Sequence, residues 1–193
     1  MGVEVLFVFF SSSYVYSGHS NLHSYEESEM LDPSHNFGIA KLFFEKYITK
    51  CHKNSVILRL SNVYGYGNQL NRTTLKEWID AGLSNKDLIV WGEGFRKLQY
   101  VYIDDVINIL MSCKALSNGV FNLGGDEHTK IHELTAYLSE VLDTKVINLL
   151  DKSEGETLPL LNTEKLKSKL LNFRFTSLKA GIRQYIEKVK NNG

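Results

Sequence analysis

Near its start the chain carries Val3-Glu4-Val5-Leu6-Phe7-Val8-Phe9-Phe10, apolar at every position but one. A short continuous run of β-branched and aromatic residues predicts a buried strand of a parallel sheet covered by helices on both faces. Residues 18–33 are polar and turn-rich. From Gly38 to Cys51, Ile39, Leu42, Phe43, Tyr47 and Ile48 then recur at helical spacing. Residues 55–60 form a second apolar run, so strand, helix and strand follow each other as a βαβ unit.

Further on, residues 62–68 read as a turn, 75–83 as a helix, and 88–91 and 99–103 as strands. Asp104 and Asp105 are expected to open a helix reaching Leu116, with their carboxylates at its positive end. A strand is expected over 119–123, a helix capped by Thr129 and ending at Leu142, and a strand over 145–149. Two helices follow Thr163, the last over 177–190. The fold class is mixed α/β.

Composition narrows the function classes. Lys plus Arg and Asp plus Glu number 22 each, so charge gives no reason to expect nucleic acid or an anionic membrane as partner. A chain of 193 residues, 43% hydrophobic, is sized for one globular domain. The opening apolar run is too short to span a bilayer and lacks a basic flank, so it reads as a strand, not a signal peptide. Cys51 and Cys113, far apart in the chain, read as reduced thiols of a cytoplasmic protein. The pairs His19/His23 and His128/His132 have the spacing of two ligands on one helix face but no companion ligand, and no metal is expected. Asn71-Arg72-Thr73 fits a glycosylation acceptor, which means little without a secretion signal.

The chemistry is concentrated in two segments, Ser11-Ser12-Ser13-Tyr14-Val15-Tyr16 at the end of the first strand and Asn36-Phe37-Gly38-Ile39-Ala40-Lys41 at the start of the first helix. Two others accompany them: Leu58-Arg59-Leu60-Ser61-Asn62-Val63-Tyr64-Gly65, and Trp91-Gly92-Glu93-Gly94 leading into Tyr100-Val101-Tyr102-Ile103-Asp104-Asp105. Phe121-Asn122-Leu123-Gly124-Gly125 adds weaker support. In this order the segments resemble the C-terminal part of an extended short-chain dehydrogenase/reductase, the NAD-dependent epimerase/dehydratase family that modifies nucleotide sugars.

The resemblance implies a partial Rossmann-like parallel sheet, its N-terminal βα units missing, with a small mixed α/β C-terminal substrate-binding region. Residues 1–65 would be the remnant of the cofactor-binding domain. Residues 66–193 would form the substrate region, interleaved with the sheet around 99–123. By position Ser12 matches the family's catalytic serine, Lys41 its lysine, and Phe37 its tyrosine. Such a tyrosine, with a phenol of ordinary pKa about 10, works as a base at neutral pH only when a nearby cation favours the phenolate. Phe37 keeps the ring and has no hydroxyl. Rescue by Tyr14, Tyr16 or Tyr25 would need a changed geometry.

The resemblance further implies NAD or NADP as cofactor, met by Ser11, Lys41 and Ser61, and a nucleotide sugar met by Ser12, Asn62 and Arg96. Leu98 stands where relatives often carry a diphosphate-binding arginine, and Arg96 would replace it only through a change of register. Ser13-Tyr14 stands where 4,6-dehydratases carry Asp-Glu, favouring an epimerase or reductase type. The Gly-rich pyrophosphate turn does not occur in the 193 residues, so the chain starts where the family's fifth strand would be. Impaired chemistry and an apolar edge on the first strand are therefore expected, covered by self-association or by a chain supplying the N-terminal half. The alternatives are a non-catalytic binding or scaffolding module and a fragment of a complete enzyme.

Overall fold

Phe7–Ser12 (β1) and Ser55–Leu60 (β3) lie parallel in the computed structural model, with Phe7 opposite Ser55 and Ser12 opposite Leu60. Gly119–Leu123 (β7) adds on the far side of β3, giving a parallel sheet of order β1-β3-β7. The structure describes residues 5–18, 23–67, 73–116, 118–171 and 173–192. The helix Asn36–Cys51 (α1) connects β1 to β3, as the strand-helix-strand pattern predicts. Central β3 is buried along nearly its whole length, which its run of Val56, Ile57 and Leu58 makes favourable.

A second region is built on short pairings. Asn62–Tyr64 (β4) runs parallel to Lys97–Tyr102 (β6), which pairs antiparallel with His128–Lys130 (β8). Leu88–Trp91 (β5) pairs with Val146–Leu149 (β9), and Ser24–Tyr25 (β2) with Leu160–Leu161 (β10). The remaining helices are Thr74–Leu83 (α2), Ile103–Met111 (α3), Ile131–Leu142 (α4), Glu164–Lys169 (α5) and Leu178–Asn192 (α6). Side chains of α2, α4, α6 and β5, among them Trp78, Leu138, Ile182 and Val90, form one core. The β3 and β7 side chains pack with Val106 and Ile109 of α3 and Leu166 of α5 in another.

Several expectations are corrected. Residues 62–64 form a strand, not a turn, because Asn62, Val63 and Tyr64 align with Tyr100, Val101 and Tyr102. Thr129 does not cap α4: it pairs with Leu98, and Lys130 is the cap residue, its amide donating to Glu133 Oε2 at 3.0 Å. The α3 helix ends at Met111 and is followed by a separate 3-10 turn, Cys113–Ala115. His128 lies on β8 and His132 on α4, so the two do not share a helix face. His19, Asn71 and Arg72 lie outside the described residues, while His23 pairs with Glu29 at 2.7 Å. No described helix is long and apolar enough to cross a membrane.

One face is unfinished among the described residues. Strand β1 pairs on one side with β3, and Phe7 and Phe10 remain 39% and 38% exposed. Beside it, α1 presents Phe37, Ile39, Phe43, Phe44 and Tyr47 to solvent, and Phe44 touches Phe9 of β1. An exposed cluster of large apolar side chains of this kind is unusual for a surface left to water.

Candidate active site

The parallel register delivers the candidate residues to one end of the sheet. Ser12 is opposite Leu60 and Leu60 opposite Leu123, so Ser61, Asn62 and Gly124 all leave the strands at the carboxyl end that also carries Ser12. In open α/β sheets this is the end at which ligands bind. There β1 breaks into a 3-10 turn, Ser13–Tyr16, whose N-cap is Ser12: its Oγ accepts from the Tyr14 amide at 3.3 Å. Helix α1 begins against that turn. Gly38 is required at the contact, since a Cβ there would stand 2.3 Å from the Tyr14 carbonyl oxygen.

Phe37 therefore sits beside the turn, 56% exposed, with the Tyr14 ring edge-on at 5.8 Å between centroids. Lys41, one helical turn on, donates from Nζ to the Phe10 carbonyl at 2.8 Å. Its ammonium lies 5.0 Å from the Phe9 ring centre and 5.4 Å from that of Phe37. The lysine thus stands against an aromatic face at the position from which it would polarise a phenol. Tyr16 and Tyr25 are buried and stacked on each other at 5.1 Å, so neither reaches out to supply the missing hydroxyl.

Beneath this cluster lies a polar network not foreseen from the sequence. Arg59 of β3, 3% exposed, donates from Nη2 to Glu45 Oε2 at 2.7 Å and from Nε to Oε1 at 3.1 Å. Glu45 of α1, 4% exposed, also accepts from Ser11 Oγ. Arg59 Nη1 donates to the Tyr16 phenol oxygen at 2.6 Å, and that phenol lies 3.1 Å from Asn122 Oδ1 and 3.2 Å from the Glu26 carbonyl. Burial disfavours the guanidinium charge, but the hydrogen bond and charge of Glu45, with help from Tyr16, outweigh it and raise the Arg59 pKa. Burial also raises the Tyr16 phenol, against the opposing charge of Arg59. The glutamate two turns after Phe37 and the arginine inside an apolar strand were the signals in the sequence.

The other candidates lie as follows. Ser61 Oγ is buried and, among the described residues, has no hydrogen-bond partner. Asn62 uses its amide to join strands, Nδ2 donating to the Gln99 carbonyl at 2.9 Å. Leu98 is a core residue, and Arg96, which precedes β6, lines a cavity of about 620 Å³. Trp78, Ile89, Trp91, Glu154 and Gly155 are among its walls. Arg96 Nη1 donates to the Glu154 carbonyl at 3.2 Å, while its Nε is buried without a partner. The turn that brings Arg96 there passes through Gly92 and Gly94, at φ 71° and 79°, in the left-handed region that glycine adopts freely. Among the described residues, no group of three or more His, Cys, Asp and Glu is placed to hold a metal ion.

A parallel β1-β3-β7 sheet with the α1 crossover, flanked by short strand pairings, is a partial Rossmann-like α/β architecture. The family model described as the NAD dependent epimerase/dehydratase family matches residues 1–124, and the chain belongs to that family. It is 28% identical over 194 residues to a putative UDP-glucose 4-epimerase of Methanocaldococcus jannaschii, covering 96% of this chain and 63% of that protein. The UDP-glucuronic acid 4-epimerase of Bacillus cereus, solved with UDP-glucuronic acid and NAD, superposes with a TM-score of 0.81 at 25% identity, over 96% of this chain and 61% of that one. The fold is also that of the dTDP-glucose 4,6-dehydratase of Bacillus anthracis, with TM-score 0.83, 17% identity, and coverage of 97% of this chain and 62% of that one. The chain thus spans less than two thirds of the length of these relatives.

NAD, the cofactor in the family's description, can be tested against the residues present. The chemistry of two donors suits such a group: the unpartnered Ser61 hydroxyl and the Lys41 ammonium could each meet sugar hydroxyls or carboxamide oxygens. A glycine-rich cradle for the pyrophosphate is not among the 193 residues.

Proposed function

We propose that this chain is the serine- and substrate-bearing part of a nucleotide-sugar epimerase- or reductase-type protein whose proton-transfer step is impaired. The carrying observation is the convergence of Ser12, Phe37 and Lys41 at the end of β1, with a phenyl ring where a proton acceptor would be needed. Bound NAD would supply a hydride acceptor. The chain's own residues would do the rest: Ser12 orients the sugar hydroxyl, Lys41 and Ser61 hold the nicotinamide side, and Asn62 borders the substrate. Arg96 offers Nε to a phosphate of the nucleotide in the cavity. Loss of the general base lowers the rate by about 10²- to 10⁴-fold. Residues 1–65 would be the remnant of the cofactor-binding domain, which also lends Ser12 and Asn62 to the substrate, and residues 66–193 the substrate-binding region. The 3-10 turn at Ser13-Tyr14, which carries no acidic pair, favours epimerase or reductase over dehydratase chemistry. The free thiols of Cys51 and Cys113 support a reducing, cytoplasmic setting.

Calorimetric titration with NAD, NADH and UDP-sugars, run on the chain and on Phe37→Tyr, tests this reading. Binding by both, with turnover gained in the variant, is expected. Robust turnover by the unsubstituted chain would remove the impairment, and no binding by either would remove the cofactor assignment.

A second reading is supported by the exposed apolar face of β1 and α1: a partner-binding module that uses this face. A monomer by light scattering that keeps the β1 amides equally exposed to exchange on mixing with candidate partners would count against it.

A further inference from the structure

The Glu45–Arg59 ion pair is the most deeply buried charge in the described residues that the proposed chemistry does not use. It is an expensive thing to bury, and well-packed apolar side chains would hold the same elements together as firmly. Its geometry explains what apolar packing would not provide. Glu45 lies on the same face of α1 as Phe37 and Lys41, at successive four-residue steps. Fixing the carboxylate therefore fixes the rotation of α1 about its axis, and with it the direction of Lys41. Glu45 Oε1, which takes Arg59 Nε, also accepts from Ser11, the neighbour of Ser12, so the same carboxylate holds the end of β1. Arg59, seated on central β3, reaches the Tyr16 phenol at the far end of the 3-10 turn, which Asn122 of β7 ties in turn. Asn122 is itself held by Glu27, whose Oε1 accepts from its amide at 2.7 Å, and by donating Nδ2 to the Tyr25 carbonyl at 2.8 Å. The two elements that carry Ser12 and Lys41, β1 and α1, are thus tied together with β3, the 3-10 turn and β7 through one fork of directional bonds.

We propose that Glu45 and Arg59 are positioning residues, which set the Ser12 hydroxyl and the Lys41 ammonium relative to one another at the end of the sheet. For its consequence on ligand binding this rests on the proposed cofactor assignment. Its geometric content does not.

The test uses Glu45→Gln, which keeps shape and hydrogen-bonding capacity but removes the charge. The Lys41 side-chain protons, shifted by the Phe9 and Phe37 rings, are followed by NMR, with the Trp78 indole N–H as a distant reference. NADH affinity is measured on the same samples. In the variant the Lys41 signals are expected to move toward unstructured values while the Trp78 signal holds, and NADH to bind about tenfold more weakly. A lowered thermal midpoint with Lys41 signals and NADH affinity unchanged would overturn the proposal, leaving the pair a structural brace. If the unsubstituted chain does not bind NADH, the cofactor assignment fails, and the Lys41 signals alone decide the positioning role. Should Glu45→Gln not fold, Ser11→Ala leaves the ion pair intact and cuts its link to β1. Displacement of the Tyr14 amide, which bonds Ser12, is then expected, and an unmoved Tyr14 amide would overturn the proposal.

Discussion

Gly38 approaches the Tyr14 carbonyl so closely that even a methyl group would stand 2.3 Å from its oxygen, a distance no Cβ tolerates. The residue after Phe37 is therefore the point at which α1 is seated on the 3-10 turn. Gly38→Ala should lift the start of the helix and destabilise the chain by about 1–3 kcal/mol, the usual range for overpacking. Urea denaturation would measure it, and an unchanged midpoint would mean that the turn yields.

Introducing a hydroxyl at position 37 places a phenol under the influence of the Lys41 ammonium, now 5.4 Å from the ring centre. In Phe37→Tyr the new phenol should titrate below its usual value of about 10. Spectrophotometric titration against the parent chain reads this directly. Adding Lys41→Met should return the titration to the ordinary value.

Asp105 provides a pH signature. Burial raises its carboxyl pKa above the ordinary carboxylate value, in opposition to bonds from the Thr176 amide at 2.8 Å and hydroxyl at 2.9 Å. A raised folded-state pKa means that the folded chain holds its proton longer than the unfolded chain. The Asp105 contribution to stability therefore falls as pH rises through the window between the two pKa values. Asp105→Asn removes that dependence. Its stability relative to the parent should increase with pH across the acid range and level off toward neutrality, as thermal midpoints over a pH series would show.

Arg96 can be separated from the catalytic cluster. Arg96→Leu should weaken UDP binding by about tenfold or more, the scale of one charge-assisted hydrogen bond, and leave the thermal midpoint nearly unchanged. Quenching of the half-exposed Trp91, which lines the same cavity, gives the readout. Equal affinity in both proteins would move the nucleotide elsewhere.

The exposed face of α1 yields a last prediction. Phe43 is 63% exposed, so Phe43→Glu costs little packing within the chain. Light scattering should show reduced association at high concentration with no loss of thermal stability.

What could be read from the sequence followed from period and order. Apolar runs mark β1, β3 and β7 as strands, and the helix between the first two follows from its spacing; β3 is buried as expected, whereas β1, an edge strand among the described residues, leaves Phe7 and Phe10 partly exposed. The spacing of Ser12, Phe37 and Lys41 pointed to the candidate site, and the structure places Phe37 and Lys41 beside the turn that follows Ser12. Two-residue pairings such as Ser24–Tyr25 with Leu160–Leu161 leave no periodic trace, since distant chain segments set them. The β4 strand resembled a turn because its glycines follow immediately, and pairing with β6 overrides that local preference. Glu45 was hidden for a related reason: a charged residue on an amphipathic helix is ordinarily solvated, and only the arrival of Arg59 from β3 makes its burial affordable.

The bond from Tyr16 to Asn122 spans 106 positions of the chain, and β2 waits still longer for β10. Pairings so remote in sequence cannot form while the chain is first emerging during synthesis. The turn next to Ser12 closes on local bonds, but its last residue, Tyr16, gains its Asn122 and Leu161 neighbours only once β7 and then Leu160–Leu161 have been made. Truncation before Leu160 would therefore strip packing from Val15, Tyr16 and Tyr25, in the first seventh of the sequence, without touching any residue close to them along the chain.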